Sequence, residues 1–248
     1  MAERVEKAGV VKGNMSLVPL FALAVLAGAF IAFGAAFYLV VGFQFGLGPG
    51  AARLFGGIAF SLGLVLIVVG GAELFTGNNL IVMARCDGLI STSALLRNWA
   101  VVYVGNFIGA AATALMISAS GILGDGDTDL SGHARNVALA KTNLPLAEAF
   151  IRGILCNTLV CLAVWLSFAG HTVTEKAVAI VFPISAFVAM GLEHSVANMF
   201  FLPLGVFLGL PTDVGGIAGN LAVVTLGNLI GGSLFVGVVY WIVYRRPG

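Results

Sequence analysis

Long apolar runs alternate with short polar links along the whole chain. Gly13 to Ala52 carries no charge, and the stretches between Arg97 and Asp125 and between Asp213 and Arg245 are also uncharged. Each run exceeds the roughly 20 residues that cross a bilayer. A helix buried in a soluble protein would keep a polar face, which these runs lack. The pattern therefore predicts an all-α polytopic membrane protein, with residues 1–248 forming a single transmembrane domain.

The same pattern predicts six transmembrane helices. Their predicted bounds are 17–43, 56–85, 96–122, 147–170, 175–209 and 215–244. The second and fifth are long and carry charged residues inside. In the second, "GGAELFTGNN" (70–79) places a glutamate, two adjacent glycines and two asparagines where the middle of a span is expected. We therefore predict that helices two and five are broken.

Lysines and arginines indicate the orientation, because cytoplasmic links carry the excess of them. Eight lie on the side of the termini: Arg4, Lys7, Lys12, Arg85, Arg97, Lys176, Arg245 and Arg246. Four lie on the other side: Arg53, Arg135, Lys141 and Arg152. Both termini are predicted to be cytoplasmic, with residues 1–14 as an amphipathic segment. Residues 123–146, which include the acidic "GDGDTDLSGH", form the predicted extracytoplasmic loop.

Two motif pairs indicate an internal duplication. "GAELFTGN" (71–78) and "GLEHSVAN" (191–198) share the pattern G-x-E-x-x-x-x-N, and "GNFIGA" (105–110) matches "GNLIGG" (227–232). The motifs are 32 residues apart in the first half, from Glu73 to Gly105, and 34 in the second, from Glu193 to Gly227. Three spans per unit give the repeats, 15–122 and 147–244, opposite orientations. In inverted repeats, broken helices build a polar site near the midplane.

Within these breaks His194 is the strongest functional candidate, because an ionisable residue in an apolar span is costly. It titrates near neutral pH and can donate or accept a proton. Glu73 and Glu193 are repeat mates that could pair with a cation, accept backbone N–H bonds or carry protons; a structural role at the helix ends is favoured. Asn78 and Asn198 are expected to brace the breaks by satisfying freed backbone groups.

Composition narrows the function further. The chain is 60% hydrophobic and 9% charged, with a net charge of +1, which gives no indication of nucleic-acid binding. Cys86, Cys156 and Cys161 lack metal-ligand spacing, and Glu193–His194 has no third ligand at a useful distance. No nucleophile, zinc-protease or phosphate-loop motif is present. We expect no enzyme, no metal and no cofactor.

Several motifs, "GGAELFTGNNL", "RNWAVVYVGNFIGA", "RGILCNTLVCLAVW", "GLEHSVANMFFLPLG" and "LGNLIGG", resemble those of the formate–nitrite transporter family. The resemblance covers nearly the whole chain. It implies an aquaporin-like fold of six transmembrane helices in two inverted three-helix repeats, with helices two and five broken. It also implies a homopentamer with one pore per subunit, in a cell membrane (inner or plasma membrane), and the passage of small monovalent anions.

The resemblance also implies roles for individual residues. His194 matches the central pore histidine, and Thr76 matches the threonine that faces it. Leu64, Leu74 and Phe75 are expected at the inner constriction, and Phe60, Phe187 and Asn157 at the outer one. Lys141 matches a lysine that draws anions into the outer vestibule, and Asn228 is expected to reach towards His194. Glu73 and Glu193 match acidic positions beside the pore motifs.

Formate is the expected substrate, with nitrite second; hydrosulfide and lactate are the alternatives within the family. His194 either hands a proton to the anion or stays neutral and only donates a hydrogen bond. A neutral-solute channel of the aquaporin type is less favoured, because the breaks read "TGNN" and "VANM" without the Asn-Pro-Ala of aquaporins. A membrane scaffold is a third possibility, and it would not need two broken helices.

Overall fold

The computed structural model describes residues 1–43, 48–124, 130–211 and 213–246, and these are overwhelmingly helical. In chain order the helices are α1 (Ala2–Gly13), α2 (Leu17–Gly42), α3 (Pro49–Gly70), α4 (Val82–Cys86), α5 (Thr92–Ala119), α6 (Leu130–Thr142), α7 (Leu146–Ser167), α8 (Val173–Ala189), α9 (Ser195–Phe207), α10 (Val214–Leu229) and α11 (Val239–Tyr244). A 3₁₀ segment, Gly77–Ile81, precedes α4, and a π-helical segment, Ile230–Val238, joins α10 to α11.

Five helical stretches in the described part of the chain are long and apolar enough to cross a membrane. They are Leu17–Gly42, Pro49–Gly70, Thr92–Ala119, Leu146–Ser167 and Val214–Tyr244. The predicted fifth span is divided between α8 and the shorter apolar α9. The predicted second span likewise consists of α3, the 3₁₀ segment and α4, so the expectation that both spans are interrupted agrees with the helix bounds.

Two predicted boundaries differ from the structure. Helix α3 begins at Pro49 rather than at residue 56, with Arg53 inside its second turn. A long basic side chain near a helix end can extend its charge towards the polar interface, so Arg53 need not end the helix. The predicted loop 123–146 contains helix α6, which packs against α9. Most of the acidic start of that loop, residues 125–129, lies outside the described residues.

The helices approach one another closely at small residues. α2 packs along α3 and α5, and α7 packs along α8 and α10. A Cβ atom on Gly109 of α5 would collide with the backbone oxygen of Val25, and one on Gly231 would collide with that of Ile154. The two G-x-x-x-G motifs therefore serve helix packing within one chain, where close approach strengthens dispersion contacts.

The π-helical segment packs against the 3₁₀ segment Gly77–Ile81, which lies in the interrupted second span. A Cβ atom on Gly232 would lie 2.8 Å from Oδ1 of Asn79, and one on Gly237 would collide with Val82. π-helical turns occur frequently at functional sites because they shift the register of the side chains that follow. Here the wider turn and its glycines let the end of the last span lie against Gly77–Ile81.

Candidate functional site

Each break begins with a glycine in the left-handed region. α3 ends at Gly70, and Gly71 follows with φ +78°; α8 ends at Ala189, and Gly191 has φ +69°. Glycine is favoured there because it has no Cβ. The chain then runs without helix to Gly77 in the first break and to Ser195 in the second. These interruptions leave backbone groups that other parts of the protein must satisfy.

Thr76 and His194 join the two breaks. Thr76 Oγ1 lies 2.9 Å from Nε2 of His194, and both side chains are buried. His194 is also the N-cap of α9, where its Nδ1 accepts a hydrogen bond of 3.1 Å from the backbone N–H of Ala197. An accepting Nδ1 carries no proton, so the neutral ring carries its hydrogen on Nε2. The hydrogen-bond network thus assigns Nε2–H as the donor to Thr76.

Two asparagines hold the backbone of the breaks. Asn106 accepts from the N–H of Phe75 at 2.9 Å and donates to the carbonyls of Glu73 and Ala24 at 3.0 and 2.7 Å. Both its donors and its acceptor are therefore used on main-chain groups. It fixes the chain on either side of Leu74.

Asn228 does the same in the second break. Its Oδ1 accepts from the N–H of Ser195 at 2.9 Å, and its Nδ2 donates to the carbonyls of Glu193 and Gly153 at 3.0 and 2.8 Å. Asn228 therefore bonds the backbone on both sides of His194 and leaves the imidazole to Thr76 and Ala197. It lies next to His194, but its bonds are to main-chain groups.

Asn78 belongs to a different network from the one predicted. Lys12 of α1 lies 2.8 Å from Oε1 of Glu73, and the other carboxylate oxygen accepts from Nδ2 of Asn78 at 2.7 Å. The same Nδ2 donates to Asn98 at 2.9 Å, and Asn98 donates to the carbonyl of Lys12 at 3.0 Å. The side-chain amide of Asn78 thus binds the carboxylate, while Asn106 satisfies the freed backbone.

Asn198 lies in a corresponding network of lysine, glutamate and two asparagines. Lys141 of α6 donates to both oxygens of Glu193, at 2.9 and 3.1 Å. Nδ2 of Asn198 donates to Glu193 at 2.6 Å and to Asn220 at 2.8 Å, and Asn220 donates to the carbonyl of Lys141 at 2.9 Å. α6 therefore docks on the second break as α1 docks on the first. Both lysines, Lys12 and Lys141, lie outside the predicted repeats 15–122 and 147–244, although each binds a glutamate inside one of them.

A cavity of about 310 Å³ opens on the side of the molecule that α1 covers. Its lining includes residues of α1, α3, the first break, the end of α7 and the start of α8; we call it the α1 vestibule. Leu64 and Leu74 line it and are themselves almost fully buried, whereas Phe75 packs edge-on against Tyr103, with ring centroids 5.0 Å apart.

Aromatic rings lie beside the imidazole. The ring of Phe187 stacks on that of His194 with centroids 5.9 Å apart, and Phe60 meets Phe187 edge-on at 5.5 Å. Both phenylalanines are buried. The imidazole is thus flanked by the Phe187–Phe60 pair, and none of the three lines the α1 vestibule.

Asn157, which was expected at the outer constriction, is bonded to the first break and to α10. Its Nδ2 contacts the carbonyl of Thr76 at 3.3 Å, Oδ1 of Asn79 at 2.7 Å and the carbonyl of Asn228 at 2.7 Å. It therefore connects the first break to α10. Cys161, one turn along α7, adds a contact of 3.3 Å from Sγ to the carbonyl of Thr76.

A family model described as "Formate/nitrite transporter" matches residues 1–242. The chain belongs to the formate/nitrite transporter family. The formate channel FocA of Escherichia coli (strain K12) is 41% identical over 266 residues, covering 99% of this chain and 93% of that protein. With this family and several long apolar helices, the protein is a multi-pass membrane protein.

Solved structures of the family have the same fold. One described as an "FNT family ion channel" superposes with a TM-score of 0.89 at 33% identity, covering 99% of this chain and 98% of the other. A pentameric formate channel with formate bound gives a TM-score of 0.83 at 37% identity, with 92% and 97% covered. The all-helical membrane fold and the family resemblance predicted from sequence are confirmed.

The sequence analysis assigned no role to four asparagines that form hydrogen bonds at the breaks: Asn79, Asn98, Asn106 and Asn220. Asn106 could have been found, because it follows Gly105 in the motif that matches Gly227–Asn228. Asn98 lies in the quoted motif "RNWAVVYVGNFIGA" but was given no role there, and Asn220 occupies none of the quoted motifs. Among the described residues, no group of three His, Cys, Asp or Glu side chains could hold a metal ion.

Proposed function

We propose that this protein is a channel for small monovalent anions, with formate as its principal substrate and nitrite as a second one. It moves them without chemical conversion, as a homopentamer with one pore in each subunit. The observation that carries the proposal is the Thr76–His194 contact, in which a hydrogen-bond donor and a hydroxyl are buried together. The relatives named formate channels support formate as the anion.

The proposed pathway runs from the α1 vestibule to the side covered by α6. It passes Leu64 and Leu74, then the Thr76–His194 pair, and then the ring pair Phe187 and Phe60. A bare anion in an apolar passage lacks the hydration that stabilises it in water. A polar pair between the two apolar layers gives it one place to replace lost hydrogen bonds.

We assign His194 the role of a neutral hydrogen-bond donor. Its Nδ1 is occupied by the N–H of Ala197, so a second proton there would remove the acceptor that caps α9. An arriving anion would take over the Nε2–H from Thr76, which in turn can rotate its hydroxyl towards the anion. Any proton passed to the anion would have to leave from Nε2 and be replaced on the same nitrogen.

We further propose that the protein lies in the inner or plasma membrane of the cell with both termini cytoplasmic. The α1 vestibule is then the cytoplasmic mouth, and Lys141 lies towards the extracytoplasmic side. Because Lys141 is bound to both oxygens of Glu193, we assign the pair a structural role. Asn157 acts as a positioning residue for Thr76, through the Thr76 carbonyl.

Flux into proteoliposomes of the purified protein tests this proposal. Formate, nitrite, lactate, hydrosulfide, water and glycerol would be compared at pH 5 and pH 7. We expect formate and nitrite to pass rapidly and glycerol not to pass. His194→Phe should abolish formate flux at both pH values, while His171→Phe, the same change at an exposed histidine after α7, should not. Passage of water or glycerol alone would refute the anion channel, and faster lactate or hydrosulfide flux would reassign the substrate.

A further inference from the structure

The lining of the α1 vestibule carries more positive than negative charge. Three basic residues, Arg4, Lys12 and Lys176, line it together with a single acidic residue, Glu73. Counted at neutral pH, the lining has a net charge of about +2. A concave site with low-dielectric walls focuses such a field and raises the local concentration of counter-ions.

Lys12 contributes little to this field, because its charge is already compensated. Its Nζ lies 2.8 Å from the carboxylate of Glu73 and donates to Oδ1 of Asn78 at 3.0 Å. The ion pair is neutral as a unit, and its hydrogen bonds fix α1 to the first break. Lys141 is compensated by Glu193 in the same way on the other side of the molecule.

Lys176 differs from both of these lysines. It lies in the first turn of α8 and is partly exposed on the vestibule wall. Within residues 1–43, 48–124, 130–211 and 213–246, its side chain has no hydrogen bond and no ion pair. The neighbouring Glu175 is engaged elsewhere: its carboxylate accepts from the N–H groups of His171 and Thr172 at 2.6 and 3.3 Å.

Arg4 faces the same space from α1. One nitrogen of its guanidinium donates to the carbonyl of Phe168 at 3.1 Å, which orients the group without neutralising its charge. The acidic residue one position before it, Glu3, is paired with Lys7 at 2.7 Å on the exposed face of α1. Arg4 and Lys176, which both line the cavity, therefore supply the uncompensated charge of the α1 vestibule.

We propose that Lys176 and Arg4 form an anion-collecting site in the α1 vestibule, which concentrates the transported anion ahead of Leu64 and Leu74. The inference rests on the proposed function and adds to it the residues that load the pore from this side. The site holds a small carboxylate or nitrite loosely, by charge and by the free N–H donors of the two side chains. Lys12 and Lys141 are instead paired with Glu73 and Glu193, and they attach α1 and α6 to the two breaks.

The test uses right-side-out and everted membrane vesicles from cells that produce the full chain. Accessibility of an N-terminal tag identifies which preparation presents the α1 side outwards. Initial formate uptake is measured against formate concentration at about 10 mM and about 500 mM salt. At the lower salt the Debye length is about 30 Å, and at the higher it falls to a few ångströms, which screens exposed charges.

With the α1 side outwards and at low salt, Lys176→Gln should raise the half-saturating formate concentration by about tenfold, and Arg4→Gln should act in the same direction. Lys176→Arg should restore the wild-type value, since it keeps the charge. High salt should reduce the difference between Lys176→Gln and wild type to less than about twofold. With the α6 side outwards, the half-saturating concentration should change far less.

Arg246→Gln is the matched control, because it removes an exposed cation near the C-terminus that does not line the vestibule. The inference is overturned if Lys176→Gln behaves like Arg246→Gln at low salt, or if its defect is equal from both sides and unaffected by salt. If wild-type vesicles take up no small anion from either side, the proposed function itself fails, and this inference fails with it.

Discussion

Thr76 and His194, 118 residues apart in the chain, are joined by a contact of 2.9 Å between Oγ1 and Nε2. Each belongs to a different broken span, and each is held by its own asparagine-braced backbone. Because the Nδ1 of His194 is committed to capping α9, the two breaks meet through the Nε2–H of His194 and the hydroxyl of Thr76. The proposed function depends on this pairing.

Replacing Thr76 by valine keeps the shape of the side chain and removes the hydroxyl. We expect formate flux to fall by about tenfold, since a hydrogen bond to a polar partner in a buried site contributes roughly 1 kcal/mol or more. Thr76→Ser should retain most of the flux because it keeps the oxygen. Proteoliposome uptake at equal protein content is the measurement. Wild-type flux in Thr76→Val would contradict a role for the hydroxyl.

The two lysine–glutamate pairs differ in exposure, so their disruption should differ in effect. The Lys141 side chain is 14% exposed and that of Lys12 is 30% exposed, while both glutamates are nearly fully buried. Lys141→Met leaves an unpaired buried carboxylate, which we expect to destabilise the folded protein by about 3–5 kcal/mol. Lys12→Met should be milder.

Thermal unfolding in detergent compares these two variants. The double variant Lys141→Met with Glu193→Gln should recover part of the stability, because it removes the unpaired charge as well. Lys7→Met, at an exposed pair on α1, serves as the control and should change little. Equal melting temperatures for Lys141→Met and Lys7→Met would show that the buried pair is not structural.

Gly109 marks the closest approach of α5 to α2. Its replacement by alanine would push a Cβ into the backbone oxygen of Val25, which cannot move without shifting α2. We expect Gly109→Ala to cost at least about 2 kcal/mol of stability. Gly50→Ala, in the first turn of α3 with open space around it, should be neutral or slightly stabilising. Unfolding midpoints and yield of folded protein distinguish the two, and similar values would contradict the packing argument.

A carboxyl pair connects α1 to the end of the last span. Arg245 binds Glu6 through Nε at 2.6 Å and approaches Asp87 at 3.5 Å, and Trp241 donates its indole N–H to Asp87. Burial, with a further contribution from Asp87, raises the pKa of Glu6, whereas the hydrogen bond from Glu6 lowers the pKa of Asp87. The docked arrangement therefore favours one proton held by the pair.

Docking of α1 should consequently depend on pH in a defined direction. The contribution of Glu6 is present at low pH and is lost as pH rises through its raised pKa. The contribution of Asp87 is lost as pH falls through its lowered pKa, so docking is firmest between these two values. Hydrogen exchange of the amides of Ala2–Gly13, corrected for intrinsic rates, measures this.

Glu6→Gln should remove the loss of protection on the alkaline side, since the glutamine stays neutral. Glu3→Gln, at an exposed position of the same helix, should leave the profile unchanged. Protection of α1 that is independent of pH in the wild type would contradict a shared proton.

Much of the site could be predicted from the sequence, because polar residues and glycines interrupt the apolar runs at the positions of the two breaks. Gly71 and Gly191 both adopt positive φ values at the predicted breaks, and His194 lies at one of them. The duplicated G-x-E-x-x-x-x-N pattern also indicated that Glu73 and Glu193 have equivalent surroundings. What the pattern could not supply was the partner of each group: Asn106 rather than Asn78 satisfies the first break.

The sequence by itself determined the membrane fold, the family and the positions of the breaks, and it placed His194 in one of them. These follow from local properties: hydrophobic length, glycine and the cost of an ionisable group in an apolar span. The tertiary structure alone decided that Lys12 and Lys141 pair with Glu73 and Glu193. It also showed that Asn157 donates to the carbonyl of Thr76. Among the residues that the structure describes, the side chain of Lys176 has no hydrogen bond and no ion pair. Such pairings depend on how distant helices meet, and hydrogen bonds and ion pairs form only within a few ångströms.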